Sequence, residues 1–366
     1  MISFDANGVC NYCHQIDELV VQYGTGTESG ADRFEKILDE IRSTSSSKRY
    51  NCVIGVSGGT DSSYMVHLAV KEWGLRPLAV HYDNTWNSAI ATQNIRRVLE
   101  PLGVDLYTHV VDNHAANDLM RSMMLAGVAE IDAATDLALA ETMNRAAIKF
   151  GVHHALEGHS FVTEGITPVG RNYFDGAYIQ DIHKKFGEHS IATYPLMTFS
   201  RMLIGSMLAR VKKIRPFWYL DYSKEAARDF LVKEYGWEYY GGHHLENRIT
   251  SFSHSVYLPQ RFSVDFRNNT LGAMARQGKM SREEAWREYN SPPHIETDLV
   301  SYVRKRLKFS ENEYLSVLNA PTHRWWEFRT YKRRFELLRP LFKILADAEL
   351  VTRSFYLKYC FPSVKE

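Results

Sequence analysis

The stretch Val53-Ile54-Gly55-Val56-Ser57-Gly58-Gly59-Thr60-Asp61-Ser62-Ser63 decides the reading of this chain. A β-branched run enters a Ser-Gly-Gly turn, and a helix opens directly after it. Glycines let a backbone approach a ligand closely, while successive N–H groups and a helix N-terminus point at bound negative charge. Ser57, Thr60, Ser62 and Ser63 add hydroxyls, and Asp61 supplies a carboxylate able to orient a magnesium ion or a substrate amine. No lysine follows the glycines as it would in Gly-x-x-x-x-Gly-Lys-Ser/Thr, and the spacing is not Gly-x-Gly-x-x-Gly. The turn alone also reads as a plain tight connection. Its place at the head of an α/β unit favours an anion cradle, because open parallel sheets bind ligands at the carboxyl ends of their strands.

Outward from this stretch, short apolar runs alternate with helical periodicity. Strands are expected at about 52–56, 77–83, 106–111 and 154–157, with helices at about 61–73, 88–100, 118–125 and 133–150. This alternation predicts a doubly wound, mostly parallel α/β sheet. Residues 31–49 read as a helix running out into a Ser-rich segment, and residues 1–30 as irregular. A helix is expected over 200–211 and another over 224–235, and the chain after 221 reads as mainly helical. Three regions follow: an N-terminal segment 1–48, a nucleotide-binding domain 49–220 and a helical region 221–366.

Composition narrows the class. The 366 residues carry a formal net charge of +1, so nothing global argues for nucleic acid. No run approaches the roughly 20 apolar residues of a membrane span, and no signal-peptide pattern opens the chain. Four cysteines are too few for a disulfide scaffold, which points to a cytoplasmic enzyme with reduced thiols.

Further polar groups gather at the expected strand ends. Asp83 and Asn84 close the second strand as nucleotide or metal contacts, or else as an Asx-type turn. Gly158, His159 and Glu164 follow the fourth. Residues 165–200, including Arg171, read as an irregular lobe or active-site cover. Lys212 and Lys213, expected at a helix C-terminus, complement its dipole or offset charge on a transferring phosphate. The stretch Gly241-Gly242-His243-His244-Leu245-Glu246-Asn247-Arg248 is a candidate substrate pocket or a hydrogen-bonded turn. Cys10 and Cys13 could form half of a zinc site, a redox pair or an ordinary structural pair. Residues 301–360 hold 13 Lys/Arg against 6 Asp/Glu, interleaved with aromatics: a solvated face, a protein dock, or a contact for RNA or a nucleotide sugar.

At this point a resemblance enters. Ser57-Gly58-Gly59-Thr60-Asp61-Ser62-Ser63 matches the Ser-Gly-Gly-x-Asp-Ser-Ser signature of the PP-loop ATP pyrophosphatases, of the adenine-nucleotide alpha-hydrolase (PP-loop/HUP-like) type. Phe4–Cys13, Asp83–Ser88, Tyr240–Arg248 and Leu258–Phe262 are similar to the N-acetyl sugar amidotransferases of bacterial surface-polysaccharide (lipopolysaccharide, O-antigen) synthesis. The likeness covers roughly residues 1–292. Relatives carry an earlier Cys-x-x-Cys with no counterpart in these residues, so Cys10 and Cys13 stand as a partial zinc site.

The resemblance implies a ligase-type reaction. ATP places its phosphates on Ser57–Ser63 with Asp61 holding Mg2+ and Asp83 and Gly158 beside the nucleotide. The acetamido oxygen of a nucleotide-linked sugar attacks the α-phosphorus and releases pyrophosphate. Ammonia then displaces AMP to leave an acetamidino group. Asp61, Lys212 and Lys213 are the implied catalytic residues, with His159, Glu164, Arg171, His243, His244, Glu246 and Arg248 facing the sugar. No glutaminase nucleophile is evident. Relatives receive ammonia from a histidine-biosynthesis-like (HisH-like) glutaminase and its HisF-like barrel partner. Two other readings remain: a tRNA-modifying or sulfur-transferring enzyme of the same superfamily, and a nucleotide-sensing subunit without chemistry.

Overall fold

The structure is a computed structural model describing residues 2–45, 47–166, 173–241, 246–293 and 295–362. Five strands, β1 (Cys52–Gly55), β2 (Pro77–Asp83), β3 (Leu106–Val110), β4 (His154–Leu156) and β5 (Lys212–Ile214), form one sheet in the order β3-β2-β1-β4-β5. All four pairings are parallel. The expected doubly wound parallel sheet is therefore present. The chain runs outward from β1 to β3, then returns to the other side of β1 for β4. That reversal makes the crevice between the ends of β1 and β4 the topological switch point.

Side-chain alternation explains why both faces are covered. Ile54 and Ala79 turn to one face, where they meet Phe34, Leu38 and Ile41 of α2 (Glu28–Thr44), Met65 and Val66 of α3 (Thr60–Lys71) and Ile95 and Val98 of α4 (Ala89–Leu102). Val53, Leu78 and Val80 turn to the other, against Ala146 and Ala147 of α6 (Ala133–Phe150). Burying each aliphatic side chain of this kind contributes about 1.5–3 kcal/mol. At the edges, β3 leaves Leu106 and Val110 exposed, while three-residue β5 carries two lysines, a feature that discourages edge-to-edge pairing.

Several local expectations are corrected. Residues 1–30 are not wholly irregular: α1 spans Asn11–Tyr23, its N-cap being Cys10 and its C-cap the left-handed Gly24. Within 165–200, α8 (Gly176–Phe186) buries Tyr178, Ile179 and Ile182 against α5 (Asn113–Leu125), so this part is packed structure rather than a loose cover. The expected helix over 200–211 is shorter. It runs as α9 (Phe199–Leu203), widens into a π-helical turn at Ile204–Leu208, and ends before β5. Gly205 passes so close to α6 that a Cβ would lie 2.5 Å from Asn144 Nδ2. Arg210 then takes a left-handed φ of 50°, and Lys212–Ile214 pairs with His154–Leu156. A three-residue strand with two lysines has too little apolar pattern to be read in sequence.

The apolar cores cross the expected regional boundaries. One joins Phe34 and Leu38 to Ile54, Phe217, Leu231 and Trp237; another joins Trp86 and Leu119 to Phe252, Tyr257, Val303 and Trp325.

Candidate active site

The site is built on the turn between β1 and α3. Gly58 has φ +82°, and a Cβ there would lie 2.2 Å from the Ala91 carbonyl oxygen, so the turn presses directly on α4. Only glycine meets both conditions. Its carbonyl accepts Trp237 Nε1 at 3.1 Å and Asn94 Nδ2 at 3.4 Å, bracing the turn from behind. Ser57 Oγ accepts the Gly59 N–H at 3.2 Å, and Ser62 Oγ donates to the Gly59 carbonyl at 3.3 Å. Gly59 is the N-cap of α3, and no side chain caps that helix. Its first-turn N–H groups and its dipole therefore face the crevice at the end of β1. Thr60 and Ser63 are buried beneath.

Asp61 is the centre of the polar cluster. Tyr222 donates to its Oδ1 at 2.5 Å and Lys224 Nζ to its Oδ2 at 2.7 Å. Glu164, on the short helix α7 (Phe161–Glu164), stands 3.9 Å from the same ammonium. Burial pulls the Lys224 pKa down, but Asp61, Glu164 and Glu246 outweigh it and hold the ammonium above its ordinary range. Burial and the Asp61 charge push the Tyr222 phenol well up, so it remains a donor. Buried Glu246 reaches the turn itself, with Oε1 3.5 Å from Ser57 Oγ.

The end of β4 closes the other side. A Cβ on Gly158 would lie 3.3 Å from the Asp61 carbonyl carbon, so the chain just after β4 passes close against the first turn of α3. Trp218 Nε1 donates to His159 Nδ1 at 3.2 Å, which leaves the imidazole proton on Nε2, 3.7 Å from Glu164. Ser57 to Ser63, Gly158, His159, Glu164 and Glu246 therefore converge at the switch point.

Other expected site residues lie elsewhere. Lys212 Nζ bonds Glu40 of α2 at 2.6 Å, and Lys212 pairs with His154 at the start of β4, away from the crevice. A strand, not a helix end, aims its side chain there. Lys213 stands 3.8 Å from Glu157, a carboxylate shared with Arg215 at 2.9 Å. Arg248 bonds Asp298 at 2.7 Å and Glu296 at 3.1 Å and lies 4.0 Å over the Tyr302 ring, an anchor for the C-terminal helices rather than a pocket wall. Asp83 Oδ1 accepts the Thr85 N–H at 2.7 Å, the Asx-type turn of the alternative reading, and Thr85 adopts φ +66°. Asn247 ties this turn to the Glu246 segment through Asn84 at 2.9 Å and Asn87 at 3.0 Å. Arg171, His243 and His244 lie outside the described residues.

Few metal donors gather near the N-terminus. Cys10 Sγ and Cys13 Sγ are 3.4 Å apart and Arg276 Nη2 is 3.8 Å from Cys13, but His14 is turned to Asp5 at 2.9 Å. Among the described residues no three His, Cys, Asp or Glu side chains gather as a metal cage. The donors therefore do not fit a complete tetrahedral zinc site. Magnesium is a different case. It binds through one or two carboxylates plus nucleotide phosphates and water, and the Asp61 carboxylate beside a turn suited to phosphates could supply the protein ligand.

Sequence reasoning missed Tyr222, Lys224 and the brace from Trp237. A signal existed for Lys224. Ser223 caps α10 (Lys224–Tyr235), so the lysine sits at the first helical position, where a cation opposes the helix dipole. A lysine placed there calls for a nearby anion.

Residues 246–341 match the family described as LPS biosynthesis protein WbpG-like, C-terminal domain. The resemblance to surface-polysaccharide proteins thus holds for that segment. An uncharacterized protein, MJ1599, of Methanocaldococcus jannaschii is 24% identical over 159 residues, which is 43% of this chain and 54% of that protein. The chain thus spans about half the length of that curated relative. Among solved structures, an NMN synthetase from Francisella tularensis covers 76% of this chain and 93% of its own at 12% identity and a TM-score of 0.35. A U34-tRNA thiolase, NcsA, from Methanococcus maripaludis with its 4Fe–4S cluster covers 68% and 80% at 13% identity and a TM-score of 0.29.

Proposed function

We propose, from the premise that residues 246–341 are a WbpG-like LPS biosynthesis domain built onto a parallel nucleotide-binding sheet, that this chain is an ATP-dependent amidotransferase acting on an acetamido sugar. The observation that carries the reading is the convergence of Asp61, Lys224, Tyr222, Glu164 and Glu246 on an uncapped helix N-terminus at the switch point.

The chemistry explains each part. An amide carbonyl is a poor electrophile, and oxide is not a usable leaving group. Transfer of an adenylyl group to the acetamido oxygen turns that oxygen into part of AMP, which leaves readily when ammonia attacks. ATP as substrate would lay its phosphates on the N–H groups of Ser57–Ser63. Asp61 would hold magnesium, which when bound neutralises phosphate charge. As the nucleotide arrives, Lys224 exchanges its carboxylate partners for phosphate and offsets the charge building on the departing pyrophosphate. Tyr222 stays on Asp61 and keeps the carboxylate oriented. His159 presents Nε2–H beside Glu164 at the crevice rim, where it would orient the acetamido group. The nucleotide-linked sugar, the magnesium and a cytoplasmic setting belong to this proposal. So does ammonia delivered by a separate HisH-like glutaminase with its HisF-like barrel. No helix among the described residues is long and apolar enough to cross a membrane.

The test is release of AMP and pyrophosphate on supplying ATP, magnesium, ammonium and a panel of UDP- or CMP-linked acetamido sugars. Release that requires both the sugar and ATP is expected. Asp61→Ala should lose nearly all turnover, and retained turnover in that variant would remove Asp61 from the mechanism.

A further inference from the structure

The same edge of the sheet carries a second pocket that the adenylation site does not use. A cavity of about 130 Å³ lies between α5, the turn after α8 and the helix Leu299–Arg306 with the two residues after it. That is several times the ~30 Å³ one water occupies in the liquid. It sits where the sheet domain meets the WbpG-like segment, a common place for ligand sites.

Its walls are cationic and held rigid. Arg121, Arg306 and Lys308 line it, with His114 and His189 at the mouth, their ring centroids 5.8 Å apart. Arg121 Nη1 donates to the carbonyls of Leu307 at 3.1 Å and Lys308 at 3.2 Å, fixing the wall they form. Arg306 lies 4.0 Å over the Trp86 ring and bonds Asn113 at 2.8 Å and Thr85, linking the pocket to the turn beside the adenylation site. Of the acids, Asp118 is turned into the wall, where its Oδ2 accepts His183 at 2.8 Å and the N–H groups of Glu188 and His189 at 2.9 Å. Arg121 is itself shared with Glu313, 3.4 Å from its Nη2, and Glu188 stands at the rim, so Arg306 and Lys308 are the cations that keep the lining positive. Lys308 and Thr85 are both non-glycine residues with left-handed φ, +56° and +66°. Such strain costs of order 1–3 kcal/mol and collects at functional sites.

We propose that this pocket is a phosphate subsite, separate from the Ser-Gly-Gly turn, that takes the diphosphate of the nucleotide-linked acceptor. The assignment of the source rests on the proposed reaction; the oxyanion chemistry does not. The pocket is built on α5, the helix that follows edge strand β3, and β3 stands two strand spacings, roughly 10 Å, from β1. An acceptor could then be gripped by its diphosphate there while its acetamido end faces ATP.

The experiment titrates the full chain with UDP, pyrophosphate and orthophosphate by calorimetry while the Ser-Gly-Gly turn is saturated with a non-hydrolysable ATP analogue. Wild type is expected to bind UDP under those conditions. Lys308→Gly, which suits the left-handed backbone while removing the ammonium, and His189→Ala, at an exposed position, should each weaken UDP at least tenfold and leave the affinity for the ATP analogue unchanged. UDP binding tighter than either inorganic anion assigns the pocket to the acceptor; equal or tighter pyrophosphate binding with the same sensitivity to the variants makes free anion the source and overturns the acceptor assignment. No UDP binding to the loaded protein, or unchanged affinity in both variants, overturns the subsite. UDP binding that both variants weaken, with no AMP release for any acetamido sugar, would sink the proposed reaction and leave the subsite standing.

Discussion

At the scale of single residues, the lysine that matters is decided by which carboxylate it meets. Lys224 meets Asp61 in the crevice, whereas Lys212 meets Glu40 on the outer helix. Lys224→Ala should lower kcat/KM by about 10²–10³, the scale of one preorganised electrostatic contact. Lys212→Ala should leave turnover intact and cost only ~0.2–1 kcal/mol of stability, as for other half-exposed pairs. Steady-state pyrophosphate release and urea melts on the two variants check both. Glu130 gives a pH prediction. Burial raises its carboxyl to about 7, with its own N–H, Tyr178 and Lys358 only partly opposing. An acid whose folded pKa exceeds its unfolded value binds more protons when folded, so stability falls as pH rises from about 4.5 to 7. Glu130→Gln should flatten that decline, on the order of 1–3 kcal/mol, in urea titrations at pH 5 and pH 8.

At the scale of elements, the turn between β1 and α3 is intolerant of any side chain at its first glycine. Gly58→Ala combines a φ of +82° with a Cβ 2.2 Å from a backbone oxygen. It should destabilise by more than ~2 kcal/mol and weaken nucleotide binding as the turn shifts, which urea unfolding and nucleotide titration would reveal together. Long elements with a continuous apolar or periodic pattern were legible in sequence. The helix expected over 133–150 and the strand over 77–83 appear as Ala133–Phe150 and Pro77–Asp83. The elements misjudged are those whose backbone is set by a neighbour. β5 exists because β4 offers a ladder, and α8 because α5 supplies its apolar face. By contrast, the capping box of Ser281 and Glu284 needs only four contiguous residues and no tertiary partner.

At the scale of the whole molecule, the helical region is part of the site as well as of the core. Tyr222, Lys224, Trp237 and Glu246 all come from beyond residue 220, and the two largest cores draw on both sides of that boundary. A fragment ending at residue 220 should therefore lack cooperative unfolding and fail to bind nucleotide. Near-UV circular dichroism and a nucleotide titration on the fragment check this, and a sharp transition with retained binding would show the sheet domain to be self-sufficient.

By itself the sequence determined what depends on neighbours along the chain: the glycine turn that opens α3, the alternation of strands and helices, and the capping of single helices. Those properties follow from backbone dihedrals and side-chain period, which a few consecutive residues set. Only the tertiary structure decided which groups face that turn. Lys224 reaches Asp61 across 163 residues of sequence and Glu246 reaches Ser57 across 189. Such contacts depend on strand order and on how the C-terminal helices close over the sheet, and no local pattern encodes them.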